Sequence, residues 1–245
     1  MLLKKAVPNS VRNTFGTVRA STYTEDGLIA ARISEFLFSG RFDVAYQLGK
    51  STESWGTMDL RWRVFVACWA AQHVRHLPGD YVECGVSRGG MARAVVEYTE
   101  FWNLDKKFYL LDSYCGIPDA MRQSSAVLEF DYSECFQAVK ETFAPFPNVR
   151  VIRGIVPNTL QDVDSQQIAY LSIDMNCVEP EIAAAEFFWD RLTAGGVIVL
   201  DDYCYSDHYA LQNKAFSEFA RRRDVEVLAL PTGQGLIFKP QGPRS

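Results

Sequence analysis

Three aspartates close two apolar runs late in the chain: Asp174 ends LSID, and Asp201 and Asp202 end VIVLDD. If those runs are neighbouring parallel strands, the three carboxylates meet at one edge of a sheet. Crowded carboxylates repel one another and resist ionising together. A hard dication removes the difficulty, because all-oxygen donors select Mg²⁺ first, then Ca²⁺ or Mn²⁺, with water completing the shell. Capping a following helix is the plainer use of an aspartate, but three at two adjacent strand ends exceed what capping needs. A dication there lowers the pKa of a bound hydroxyl and fixes its oxygen, which prepares a nucleophile near neutral pH. Asp174 and His208, the latter in the segment just beyond Asp202, are the two candidate bases. His208 has a suitable pKa, although a surface histidine in that loop is an equal alternative.

A second constellation lies earlier, in YVECGVSRGG from Tyr81 to Gly90. An apolar strand runs into Gly85, Gly89 and Gly90, and a helical stretch begins at Met91. At the carboxyl end of a strand such a turn is where a nucleotide-like ligand rests. The spacing is not G-x-G-x-x-G, so a dinucleotide pyrophosphate is not its natural guest. Glu83, two residues ahead of Gly85, suits a ligand with an ammonium group, such as S-adenosylmethionine. A glycine-rich turn without any ligand is the competing reading. Asp112 ends the next strand in YLLD, one strand over, where a carboxylate accepts the hydroxyls of a ribose; capping of the following turn is its alternative use.

Strand and helix must alternate to bring these groups together. Near-continuous apolar runs at Asp80–Cys84, Lys107–Asp112, Val149–Arg153, Ile168–Asp174 and Gly196–Asp201 fit strands buried on both faces. Helical stretches fall near residues 90–102, 133–144, 180–192 and 209–223. Two last strands, Val225–Leu230 and Gly235–Lys239, are separated by Pro231–Gln234, a connection so short that only an antiparallel pair results. A mostly parallel α/β sheet, seven-stranded with an antiparallel last strand, is the Rossmann-like sheet of class I methyltransferases. Upstream, near-helical spacing from Glu25 to Leu48, broken at Gly40, predicts two short helices. A longer helix follows, capped by Thr57 or Asp59 and stopped by Pro78-Gly79, its aromatic side directed at the core. The stretch from Ser113 to Asp131 has no clear periodicity and reads as a lid or a disordered loop. Residues 1–57 are expected to be an arm and helical cap, and residues 58–245 the catalytic domain.

Composition narrows the classes further. The 245 residues carry 30 acids against 25 bases and no Lys/Arg stripe, which argues against nucleic acid as a partner. Six cysteines without a C-x-x-C pair speak against zinc and a disulfide framework, and for a reducing compartment. The apolar part of the amino terminus is too short for a signal peptide, and no run reaches membrane-spanning length. A cytoplasmic protein without a membrane partner is the expectation.

Taken in order, ECGVSRGG, the LLD ending the second strand, RGIVPNTL, LSIDMN, GGVIVLDDY and LPTGQGLIFKP resemble the macrocin-type O-methyltransferases. These are metal-dependent class I enzymes that methylate sugar hydroxyls of antibiotics such as macrolides and novobiocin. The resemblance implies S-adenosylmethionine contacts at Glu83, Gly85, Ser87 and Asp112 and near Gly154, with Gly89 in the same turn. It implies Mg²⁺ at Asp174, Asp201 and Asp202, a homo-oligomer, and a small-molecule hydroxyl acceptor, a sugar. A catechol acceptor, an NAD-dependent oxidoreductase and a non-catalytic scaffold are the rival readings.

Overall fold

The computed structural model describes residues 23–32, 34–118, 133–205 and 210–242. Its elements are β1 (Tyr23–Glu25), β2 (Leu28–Ala30), α1 (Gly40–Lys50), α2 (Arg61–His73), β3 (Asp80–Cys84), α3 (Gly90–Thr99), β4 (Phe108–Asp112) and α4 (Phe136–Phe143). They continue with β5 (Val149–Arg153), β6 (Ile168–Ile173), α5 (Val178–Trp189), β7 (Leu192–Leu200), α6 (Ala210–Arg222), β8 (Leu228–Ala229) and β9 (Gly235–Phe238). Strands β3 to β9 form one sheet in the order β5-β4-β3-β6-β7-β9-β8. Pairing is parallel from β5 through β7 and antiparallel for β7–β9 and β8–β9. This is the sheet expected from the sequence, antiparallel last strand included.

The parallel strands are apolar throughout because both faces are covered. Tyr81, Tyr170 and Val197 face α2 and α3 in one core; Val82, Leu171 and Ile198 face α5 and α6 in the other. Phe188 and Phe219, both fully buried, contribute about 2 kcal/mol each to holding α5 and α6 in place. Exposed ion pairs such as Arg222–Glu186 at 2.7 Å contribute under about 1 kcal/mol. The apolar faces decide where these helices lie.

The amino-terminal region departs from expectation. Leu28 and Ile29 lie in an antiparallel hairpin, with Tyr23 paired to Ala30 and Glu25 to Leu28. Asp26 and Gly27 both take positive φ, 51° and 71°, the geometry of a two-residue hairpin turn that matches strand twist. That local signal overrides the helical spacing around it. Gly40 does not break a helix but opens α1, after a single 3-10 turn at Glu35–Phe38. Ser39 caps it, its hydroxyl accepting from the Phe42 amide at 3.5 Å. In α2, Asp59 accepts from the Arg61 amide at 3.1 Å, while the helix stops at His73 rather than Leu77. Its aromatic side is core only in part: Phe36 stacks on the half-buried Phe65 with centroids 3.9 Å apart and meets Trp62 edge-on at 4.7 Å, whereas Trp69 is exposed.

Registers across the sheet set the site. Cys84 pairs with Ile173 and Ile173 with Leu200, so the residues that follow these strands emerge side by side at one edge.

Candidate active site

A cleft of about 200 Å³ opens at that edge, bordered by the residues that follow β3, β4, β6 and β7. The connection from α1 to α2 roofs it with Ser54, Trp55, Met58 and Leu60. The roof is pinned to the turn after β3, since Ser54 Oγ accepts from the Gly90 amide at 2.7 Å.

Within that turn Gly85 has φ +89°, and a Cβ there would overlap the carbonyl of Asp174. The close approach of two strand ends, rather than of a ligand, is what requires glycine. The Gly85 amide donates to the Leu111 carbonyl at 2.9 Å, and the Asp174 amide to the Cys84 carbonyl at 2.9 Å, so the β3 end is stitched to both neighbours. Gly85, Ser87 and Gly154 border the cleft. Gly89 is not among the residues bordering it; a Cβ there would lie 2.8 Å from the Phe143 ring, so this glycine serves packing against α4.

Asp112 also does structural service. One carboxylate oxygen accepts from the Val86 amide at 2.7 Å and the Ser87 amide at 2.8 Å; the other accepts from the Tyr114 amide at 2.6 Å. It borders the cleft while holding the glycine turn in shape. Glu83 is 1 % exposed, and its Oε2 has no hydrogen-bond partner among the described residues. Burial first, and then the charge of Asp201, push its carboxyl well above the usual range. A buried carboxyl with an idle oxygen at the wall of a cleft suits a cationic group of a ligand.

The acidic cluster assembles as its strand ends predict. Asp174, Asp201 and Asp202 each present a carboxylate oxygen, all within 4.8 Å of one another, the group of this kind found among the described residues. Burial, followed by the charges of Asp201 and Asp202, raises the Asp174 carboxyl well above the usual range. Glu181, buried at the start of α5, accepts from the Met175 amide at 3.2 Å. Its own pKa is pushed up to about 8 by burial and by Asp202.

Arg63, on the first turn of α2, enters this cluster from the opposite side. It is 5 % exposed; its Nη2 pairs with Asp201 Oδ2 and donates to Asp202 Oδ1 at 2.9 Å. Gln234, wholly buried in the β8–β9 connection, donates from Nε2 to Asp201 Oδ1 at 2.8 Å. Thr232 donates to the Gln234 Oε1 at 2.9 Å, which fixes that amide's orientation. One guanidinium against three carboxylates leaves two negative charges uncancelled once all three are ionised, which an ion in the cluster would favour. A divalent ion on oxygen donors matches that deficit in charge and in chemistry, so the residues fit a hard dication.

Arg63 lies outside every motif quoted from the sequence, in a helix among aromatic residues; Gln234 falls in LPTGQGLIFKP, but nothing in that motif marks it as a partner of Asp201. His208 and residues 119–132, most of the expected lid, lie outside the described residues. Of three tyrosines near the cleft, Tyr114 and Tyr203 are buried and hydrogen-bonded to the Leu110 carbonyl and Ser217. Tyr114 and Tyr205 border the cleft, the Tyr205 ring 4.4 Å from the Arg63 guanidinium and its hydroxyl donating to Asp26 at 3.0 Å. All six cysteines are free, and among the described residues no helix is long and apolar enough to cross a membrane.

Residues 56–227 match the family model described as Macrocin-O-methyltransferase (TylF). Over 142 residues the chain is 29% identical to the 8-demethyl-8-(2,3-dimethoxy-alpha-L-rhamnosyl)-tetracenomycin-C 4'-O-methyltransferase of Streptomyces olivaceus, covering 52% of this chain and 54% of that protein. It is 25% identical over 143 residues to the demethyldecarbamoylnovobiocin O-methyltransferase of Streptomyces niveus, with 52% and 54% covered. The chain thus spans about half the length of the curated relatives it matches. Among solved structures, the O-methyltransferase NovP superposes with a TM-score of 0.66 at 18% identity, covering 85% of this chain and 100% of that one. The SAH-bound Podospora anserina methyltransferase PaMTH1 gives 0.57 at 17% identity, covering 82% and 88%. Both bear on the fold.

Proposed function

The chain belongs to the macrocin O-methyltransferase family, and from that premise we propose that it moves a methyl group from S-adenosylmethionine to a sugar hydroxyl with the help of a divalent ion. The observation that carries this reading is one cleft with the buried Glu83, whose Oε2 has no partner among the described residues, at one wall and the Asp174–Asp201–Asp202 cluster at another. When bound, the two groups supply an electrophilic methyl and a Lewis acid for the acceptor oxygen. The protein's residues bind and orient. Glu83 would meet the ammonium of the cofactor, and the turn that Asp112 holds, from Gly85 to Ser87, would border it. Asp112 would offer its remaining lone-pair capacity to the ribose, with Gly154 at the same cleft. Asp174 and Asp202, with Asp201 beside them, would hold the ion, and a carboxylate oxygen of Asp174 would take the acceptor's proton, with His208 as the second candidate base. Methyl displacement at sulfonium needs little beyond such alignment and deprotonation.

Two neighbouring hydroxyls can share the open positions of an ion held by carboxylates. A vicinal diol therefore suits the site better than an amine or a lone alcohol, and the tetracenomycin relative named above carries a rhamnosyl group in its name. A homo-oligomer in the cytoplasm, acting on a small molecule, completes the proposal; the free cysteines agree with a reducing compartment.

The test is a panel of glycosides, catechols and amines incubated with labelled S-adenosylmethionine and Mg²⁺, with and without EDTA. Transfer to glycosides, lost on chelation, is the expected result. Labelling of catechols or amines alone overturns the acceptor, and a rate indifferent to EDTA overturns the metal. Calorimetry separates the cofactor from its rival: S-adenosylhomocysteine binds and NAD does not. Glu83→Gln weakens that binding about ten- to a hundred-fold, the worth of a charge-assisted contact. Unchanged affinity removes Glu83 from the cofactor site.

A further inference from the structure

Arg63 is the one cation paired with the acidic cluster among the described residues, and its contacts divide that cluster unequally. Both carboxylate oxygens of Asp201 are engaged by protein donors, Oδ2 by Arg63 and Oδ1 by Gln234. Arg63 also donates to the Asp201 carbonyl at 3.0 Å, so the end of β7 is gripped by backbone and side chain together. Among the described residues, Asp202 gives one oxygen to Arg63 and keeps the other, and Asp174 has only a long contact, 3.5 Å, from Asn176. The guanidinium cannot drift from this position. It is packed under the Tyr205 ring at 4.4 Å, and Gln234 Nε2 donates to the Arg63 carbonyl at 3.3 Å, tying the helix turn to the same cluster.

We propose that Arg63 is a built-in counter-ion of the metal site: it claims Asp201, leaves Asp174 and Asp202 to hold the dication, and lowers the affinity for that dication. The inference rests on the proposed metal dependence and adds a positioning residue to it. Two consequences follow from elementary electrostatics. Without an ion, one fixed positive charge limits the repulsion among three carboxylates, so the site persists in the empty protein. With an ion, the same charge opposes the dication at short range, so binding is weaker and more readily reversed than three carboxylates alone would give. Arginine suits this task because it stays protonated, and here one terminal nitrogen, Nη2, reaches both Asp201 and Asp202.

The experiment is a calorimetric titration of Mn²⁺ into the full chain without cofactor, for wild type, Arg63→Met and Arg63→Lys. Arg63→Met is expected to bind Mn²⁺ about tenfold tighter or more, since a like charge a few ångströms from the ion has gone. Its metal-free form melts lower than wild type, and added Mn²⁺ raises its melting temperature by more. Arg63→Lys keeps the charge and stays within about threefold of wild type, whereas a purely geometric role would make both variants lose affinity. If Arg63→Met does not hold its fold without metal, Arg63→Met/Asp201→Asn replaces it, removing one charge of each sign. That variant keeps wild-type affinity if Asp201 serves Arg63, and its loss of binding overturns the assignment. Equal affinity in wild type and Arg63→Met overturns the counter-ion role and leaves the metal reading standing. Absence of binding in every variant ends the metal reading and this inference with it.

Discussion

Asp174→Asn lowers methyl transfer by about a thousand-fold while the metal-free protein melts no lower than wild type. The activity loss follows from the position of the carboxylate, which lies in the cleft within 4.8 Å of Asp201 and Asp202. On the proposed function Asp174 holds the ion and takes the proton, so its loss removes several kcal/mol of transition-state stabilisation, and each 1.36 kcal/mol is about tenfold in rate. Stability moves the other way for the same reason. Asp174 has Asp201 and Asp202 for neighbours and, among the described residues, no paired cation of its own; Arg63 pairs with the other two. A carboxyl whose folded pKa lies above its unfolded value costs stability once pH passes the unfolded value, and the cost grows until pH passes the folded one. At neutral pH a neutral amide of the same shape avoids that cost. Thermal melts in EDTA, beside rate measurements at saturating cofactor, check both halves. A variant that retains more than about a tenth of the rate, or that unfolds without metal, contradicts this role for Asp174.

Gly85→Ala costs about 3–5 kcal/mol of stability, a drop of roughly 10 °C in melting temperature, and takes cofactor binding with it. Two effects add. The residue sits at φ +89°, where a Cβ costs about 1–2 kcal/mol, and the new methyl overlaps the Asp174 carbonyl, a backbone atom that cannot swing aside. Relief requires β3 and β6 to separate at their carboxyl ends, where Asp174 and the glycine turn are positioned together. Ser87→Ala, in the same turn, is the control: its backbone amide, not its hydroxyl, meets Asp112, so it should melt within about 2 °C of wild type, as surface changes do. Differential scanning calorimetry of the two variants decides the matter. A Gly85→Ala protein as stable as Ser87→Ala means that this close approach does not exist in solution.

Asp174→Asn and Gly85→Ala change one junction, from opposite sides, and the glycine turn there is open to two readings. Glycine next to a strand end signals that something comes close. In Gly85 the visitor is the chain itself, and in Gly89 it is Phe143. Spacing along the sequence cannot tell a ligand from a backbone carbonyl, since both exclude a Cβ. Asp112 is similar: a carboxylate at a strand end is legible, yet whether it meets ribose hydroxyls or the Val86 and Ser87 amides depends on how the turn folds back.

What the amino-acid sequence determined alone is local or periodic. Runs such as YLSI and VIVL are apolar at every position, which only a sheet covered on both faces tolerates, so the parallel strands and their order of use were readable. The connection from Pro231 to Gln234 is too short for a crossover, so the antiparallel end was readable too. Once those strands are neighbours, the meeting of Asp174, Asp201 and Asp202 follows from their places at the strand ends. In the first fifty residues, a two-residue Asp26-Gly27 turn outweighed helical spacing, because two positive φ angles commit the chain to a hairpin over a span too short for periodicity to counter. Only the tertiary structure decided which cation enters the acidic cluster. Arg63 precedes Asp201 by 138 positions and Gln234 follows it by 33; no pattern in sequence links residues so far apart. Their meeting depends on α2 packing across the sheet edge, and that packing is chosen by the burial of Phe65, Val64 and Ala67 rather than by any residue in the site itself.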